Sequence, residues 1–137
     1  MEIPDPQYVK TDGVHIGYQV LGDGPDLVLN EGWMGNVDAN WDVPDYSDYL
    51  RALARRFRVF DRRGFGISDR PVSVSAMALE KSIEDLGAVM DAAGCERGLI
   101  AGFEAGATVS VLFATIFPER VRGLILMSPL RISAAGR

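Results

Sequence analysis

The chain has 137 residues, 47% of them hydrophobic and 24% charged, which suits one compact soluble domain and excludes a disordered chain. Its 14 Lys and Arg against 19 Asp and Glu give a net charge of -5, and the arginines are scattered, so no basic stripe exists to hold nucleic acid. A single cysteine, Cys95, excludes an internal disulfide framework and a Cys-rich zinc site, and a single histidine, His15, leaves any mechanism that needs a late histidine base incomplete in this chain.

The start, Met1 to Pro6, has neither a basic segment nor an apolar core, so no signal peptide is expected and the default compartment is cytoplasmic. Tyr8 to Lys10 and Val14 to Val20 are rich in β-branched and aromatic residues and flank Asp12-Gly13, a turn pair favoured because Gly tolerates positive φ; a hairpin is predicted. After Gly22 to Pro25, the apolar run Asp26 to Asn30 has the length of a strand buried on both faces. A loop, Glu31 to Asn36, leads to an amphipathic helix over about Tyr46 to Arg56, entered at Asp45, with Tyr46, Leu50, Leu53 and Phe57 on one stripe.

Arg58 to Asp61 is a short strand followed by a glycine-containing loop through Asp69. A second helix is predicted from about Met77 to Ala93, with Leu79, Ile83, Leu86 and Met90 aligned and Gly94 placed to end it. Leu99 to Ala101 is a further buried strand, and Gly102 to Gly106 turns tightly into a helix carrying Val109, Leu112, Phe113 and Ile116 that Pro118 stops. Its low-polarity run, Ala105 to Phe117, is well short of the roughly 20 residues of a spanning helix, so no membrane contact is expected. Val121 to Met127 is the last strand. The order is a hairpin followed by β-α-β-α-β-α-β, which predicts one α/β domain over residues 1–137: an N-terminal hairpin, then a mostly parallel sheet with crossover helices.

In this class chemistry gathers at the carboxyl ends of the strands. Gly102-Phe103-Glu104-Ala105-Gly106 has the glycine spacing of a nucleophile elbow, with Glu104 at its tip, while Glu31-Gly32-Trp33 stands where a backbone N–H would complete an oxyanion hole with that of Ala105. Together with the D-x-R-G-x-G-x-S-D loop of Asp61 to Asp69 and the stretch Phe117 to Val121, these residues resemble the N-terminal half of the α/β-hydrolase fold superfamily. The similarity is greatest to bacterial α/β-hydrolase domains that precede a nucleotide-cyclase domain, on Ile16 to Gly24 and Val89 to Gly94.

The resemblance implies hydrolysis of an ester or similar acyl bond as ancestral chemistry, with a small acyl or ester ligand, the elbow glycines Gly102 and Gly106, oxyanion N–H groups from Trp33 and Ala105, and no metal or other cofactor. Two departures bear on activity: the family's histidine-glycine pair is Glu31-Gly32 here, and its elbow serine is Glu104. The triad's acid and histidine, which follow the serine in chain order, have no matching positions. The expectation is a hydrolase-fold chain that is inactive alone, its Glu104 resting as an anion on free N–H groups at a helix N-terminus. The alternatives are a non-enzymatic regulatory or ligand-sensing module of the cyclase-linked type, or a truncated gene product. Asp61, Arg63, Ser68 and Asp69 are expected to fix their own loop, Trp33 and Trp41 to pack at a core or rim, and His15 and Cys95 to be chemically ordinary. The strand 121–127, with no further strand covering its outer edge, is expected to associate with another copy or a partner.

Overall fold

The computed structural model describes residues 2–31, 39–60 and 79–129. The predicted hairpin is β1 (Gln7–Thr11) against β2 (Val14–Tyr18), antiparallel with Lys10 opposite His15, and its turn places Asp12 and Gly13 at positive φ. The parallel sheet consists of β3 (Asp26–Asn30), β4 (Arg58–Phe60), β5 (Gly98–Phe103) and β6 (Val121–Met127), in the order β4-β3-β5-β6. Among the described residues three α-helices connect it: α1 (Pro44–Ala54), α2 (Leu79–Ala92) and α3 (Ala105–Ile116). The hairpin forms a sheet of its own.

Because successive side chains of a strand point to opposite faces, the sheet sorts its apolar residues into two cores. Val28 and Ile100 face α2 and α3, where they pack with Ile83, Leu86, Val89, Met90, Val109 and Phe113; Ile16 and Tyr18 of the hairpin join them. Leu27, Leu29 and Ala101 face α1, packing with Leu50 and Ala54 and, at the margin, Tyr46, Leu53 and Phe57. The stripes predicted for the helices hold in their middles and not at their ends. Leu79 and Ile116, at the first and last positions of α2 and α3, are 38% and 56% exposed because a helix end overhangs the sheet it crosses.

Two helix boundaries carry physical causes. Helix α1 begins at Pro44, one residue ahead of the predicted Asp45, since proline's fixed φ suits the first turn and its missing N–H has no partner there in any case. The chain leaves α2 through Gly94 at φ +70, with the Cys95 N–H donating back to the Met90 carbonyl at 2.8 Å, which is the left-handed helix ending expected of that glycine. No helix among the described residues is long and apolar enough to cross a membrane.

At the amino end of the sheet Arg58 Nε donates to Asp26 Oδ1 at 2.6 Å. The guanidinium holds the Asp26 carboxyl below its ordinary value against the opposing effect of burial, and a hydrogen bond from Cys95 adds to it. A carboxylate whose pKa is lowered on folding stabilises the fold above its unfolded pKa of about 3.9, and that contribution is lost as pH falls through the folded value. Asp26→Asn is therefore expected to cost about 1 kcal/mol at neutral pH. In urea unfolding, the gap between variant and parent should close as pH is lowered below about 4.

Candidate functional site

The carboxyl end of the sheet is where β3 and β5 hand over to loop and helix. Strand β5 ends at Phe103, Glu104 forms a one-residue turn, and α3 starts at Ala105. Glu104 has φ 51 and ψ −118, a region that side chains with a Cβ rarely occupy and that costs on the order of 1–3 kcal/mol. Its neighbours enforce it. The Glu104 N–H donates to the Met127 carbonyl at 2.9 Å, continuing the β5–β6 ladder, while its carbonyl accepts from the Ala107 and Thr108 N–H groups as the first acceptor of α3. One residue thus ends a strand and begins a helix.

The glycines on either side allow this close approach. A Cβ on Gly106 would lie 1.9 Å from the Asn30 carbonyl oxygen and 2.8 Å from that of Glu31; one on Gly102 would lie 2.5 Å from the Ala107 Cα. Neither contact can relax by moving a flexible side chain, since each is with backbone. The first turn of α3 is therefore pressed against both the end of β3 and the end of β5.

A buried polar cluster sits below this contact. Asn30 Nδ2 donates to the Gly106 carbonyl and to Ser110 Oγ, each at 3.0 Å, and Ser110 Oγ donates to the Gly106 carbonyl at 2.6 Å. Both side chains are fully buried. The amide orientation follows from the chemistry: the Gly106 carbonyl can only accept, so Nδ2 must face it, and Asn30 Oδ1 points elsewhere with no partner among the described residues. Sequence reasoning treats Asn30 as the last residue of an apolar run and misses this role. The available signal is an amide at the final inward position of an otherwise aliphatic strand, just before a glycine loop.

Glu104 is exposed and makes no side-chain capping hydrogen bond, so the expectation that its carboxylate rests on the helix N–H groups is corrected. The Ala105 and Gly106 N–H groups, at the first two positions of α3, have no carbonyl within the helix to bond. Trp33, the other expected oxyanion donor, and the loop residues Asp61, Arg63, Ser68 and Asp69 lie outside the described residues.

Other singled-out residues have structural places. Trp41 Nε1 donates to Gln19 Oε1 at 3.0 Å, and the Arg51 guanidinium lies 5.3 Å from the Trp41 ring centroid, so the indole packs at the rim of the α1 core. Cys95 is buried at the amino end of the sheet; burial first, then its hydrogen bond to Asp26, pushes its thiol up to about 12. Tyr49 of α1 is raised above its ordinary value by burial, and secondarily by the Glu31 carboxylate, which places that charge close to the carboxyl end of β3. His15 stands in the hairpin. No group of three or more His, Cys, Asp or Glu able to hold a metal occurs among the described residues.

A four-stranded parallel sheet whose crossover after β5 begins at a strained residue between two close-packed glycines is the architecture of an α/β protein with a tightly clamped strand-to-helix turn. The family model described as the alpha/beta hydrolase fold matches residues 25–135, and the chain belongs to that family. It is 31% identical over 129 residues to a 2-hydroxy-6-oxo-2,4-heptadienoate hydrolase of Pseudomonas putida, covering 91% of this chain and 45% of that protein. It is also 31% identical over 132 residues to haloalkane dehalogenase 2 of Mycobacterium bovis, covering 90% and 44%. Among solved structures it is similar to an epoxide hydrolase mutant of Vigna radiata, with a TM-score of 0.82 at 25% identity over 100% of this chain and 43% of that one. The chain spans less than half the length of these relatives.

The strain at Glu104 has a measurable consequence. Glycine occupies positive φ freely, so Glu104→Gly should release the strain and lose only about 0.5–1 kcal/mol to the added freedom of the unfolded chain. A net gain of about 1 kcal/mol in denaturant unfolding is expected.

Proposed function

We propose that this chain is an α/β-hydrolase-fold protein of ester- or acyl-hydrolase ancestry whose elbow carboxylate is catalytically silent when the chain acts alone. The observation that supports this reading is the backbone of Glu104, a positive-φ residue between β5 and α3 with a glycine two positions away on either side, whose side chain is a carboxylate. As the nucleophile of acyl transfer, a carboxylate is weak, and it adds negative charge beside the N–H groups that would have to stabilise an oxyanion. Glu31, whose carboxylate acts on Tyr49 near the end of β3, adds a second negative charge to the same end of the sheet.

Carboxylate nucleophiles do serve superfamily members such as dehalogenases and epoxide hydrolases, where attack on carbon forms an ester, with loss of halide from a haloalkane or opening of the ring of an epoxide. The similarity to proteins of those names gives the route a chemical basis here. Release of such an ester needs a base to activate water, and the only histidine of these 137 residues lies opposite Lys10 in the hairpin. Glutamate also carries its carboxylate one methylene farther than aspartate, and a misplacement of about 1 Å can lower a rate on the order of a hundredfold. An ester formed at Glu104 would remain on the chain.

The chain is expected to show no turnover of short acyl esters above a Glu104→Gln control, and Glu104→Ser should not bring esterase-like multiple turnover, because a serine without its base remains a poor nucleophile. Steady-state assays with activated esters, with intact-mass measurement for a trapped acyl group, check both. Turnover that disappears in Glu104→Gln would overturn the assignment.

A further inference from the structure

We propose that the groove between α2 and α3 binds an amphiphilic cation, a small molecule with an ammonium head and an apolar body. The groove encloses about 520 Å3, within the roughly 300–1,000 Å3 of small-molecule sites. Ile83 and Phe113, both buried, form its floor, with Gly87 and Ala88 of α2 on one side and Ile116 and Phe117 on the other. The Phe113 and Phe117 rings lie 5.1 Å apart, tilted at 46°, and give that side an aromatic surface.

Gly87 stands in the interior of α2, where glycine is unfavourable. A Cβ there would meet nothing nearer than the Phe113 ring at 3.6 Å, an ordinary contact, so packing does not require the glycine. Its bare backbone keeps the middle of the groove open. Floor and walls all belong to α2, α3 and the turn after α3, so the groove does not depend on where the chain ends. Phe113 lies about 12 Å along α3 from its first residue, at about 1.5 Å per residue, which sets this groove apart from the turn at Glu104.

Charge and shape choose the occupant. Three carboxylates, Glu80, Glu84 and Asp91, line the groove against one guanidinium, that of Arg120. Arg120 Nη2 donates to Asp91 Oδ1 at 2.7 Å, a bridge that neutralises one end and ties the two walls together there. At the other end Glu80 and Glu84, one turn apart on α2, are exposed. Glu84 lies 3.2 Å from the Lys81 ammonium, which Asp12 approaches more closely at 2.5 Å, and Glu80 has no ion pair among the described residues. Negative charge is therefore in excess at the open end alone. A cationic head suits that end and an apolar body suits the Phe113 and Phe117 side, where an anionic amphiphile would meet like charge. A helix laid along the groove would have to run past the Arg120–Asp91 bridge, whereas a short amphiphile stops before it.

The probe is n-octylammonium below its micellar concentration, with n-octyl sulfate as the anion of equal chain length. Amide shifts of the 137-residue chain are followed residue by residue at low ionic strength. Saturable shifts are expected at Gly87, Ala88, Ile116 and Phe117, with octylammonium bound roughly tenfold or more tighter than octyl sulfate. Glu80→Gln combined with Glu84→Gln should weaken octylammonium about fivefold and remove most of that preference. Ala88→Phe should fill the groove and abolish saturation, and the double glutamine variant carries the test if circular dichroism shows Ala88→Phe unfolded. Absence of a saturable shift would overturn the proposal, whether the groove stays empty or another segment of the chain covers it. So would equal binding of the two amphiphiles, unchanged affinity in the double variant, or shifts spread over the rest of the surface, which would show general adsorption of the alkyl chain.

Discussion

The contact on which the carboxyl end of this molecule depends is that between Gly106 and the backbone of Asn30. A side chain of even one carbon at residue 106 would overlap the Asn30 carbonyl, so the first turn of α3 is pressed onto the end of β3 with no clearance. Gly102 sets the matching limit against the Ala107 Cα. Once α3 is held against both strands, the residue between β5 and α3 has little freedom left: its N–H completes the ladder to Met127 and its carbonyl opens the helix. The positive φ of Glu104 is the remainder of those constraints. Strain of this kind persists only where surrounding structure over-determines it. Here that structure is backbone against backbone, which depends little on the side chain at residue 104.

The Asn30 and Ser110 cluster reinforces the same clamp from below. In the inward-facing row of β3, where Val28 packs in an apolar core, Asn30 ties the strand to the Gly106 carbonyl directly and through Ser110. Asn30 Oδ1 has no partner among the described residues. Leucine in place of Asn30 would remove the link between β3 and the first turn of α3.

Much of this was legible in the sequence because the parallel strands are short apolar runs bounded by glycine, proline or charge. Asp26 to Asn30 and Val121 to Met127 match the observed strands residue for residue, and the elbow glycines mark the turn at Glu104. Periodicity was weaker at element ends, where Leu79 and Ile116 keep the spacing of a buried stripe after the sheet beneath has run out. Pairwise chemistry was not legible. Asn30 and Ser110 are 80 residues apart, and nothing local links them. The positive φ of Glu104 depends on backbone contacts across the sheet that composition does not encode. Trp33, the loop from Asp61 to Asp69 and the tail after residue 129 lie outside the described residues.

Among the described residues, the two ends of the sheet differ in how completely their polar groups are matched. At the amino end Asp26, Arg58 and Cys95 satisfy one another, and Arg120 bonds Asp91 and the carbonyls of Cys95 and Glu96. At the carboxyl end stand a strained residue, an amide oxygen without a partner among the described residues, and helix N–H groups beyond the reach of their own helix. A turn clamped in this way keeps its shape whatever side chain residue 104 carries, because the shape is held by backbone contacts at Gly102 and Gly106 and by the Asn30 amide. That separation is what allows a carboxylate to stand at this turn without disturbing the fold beneath it.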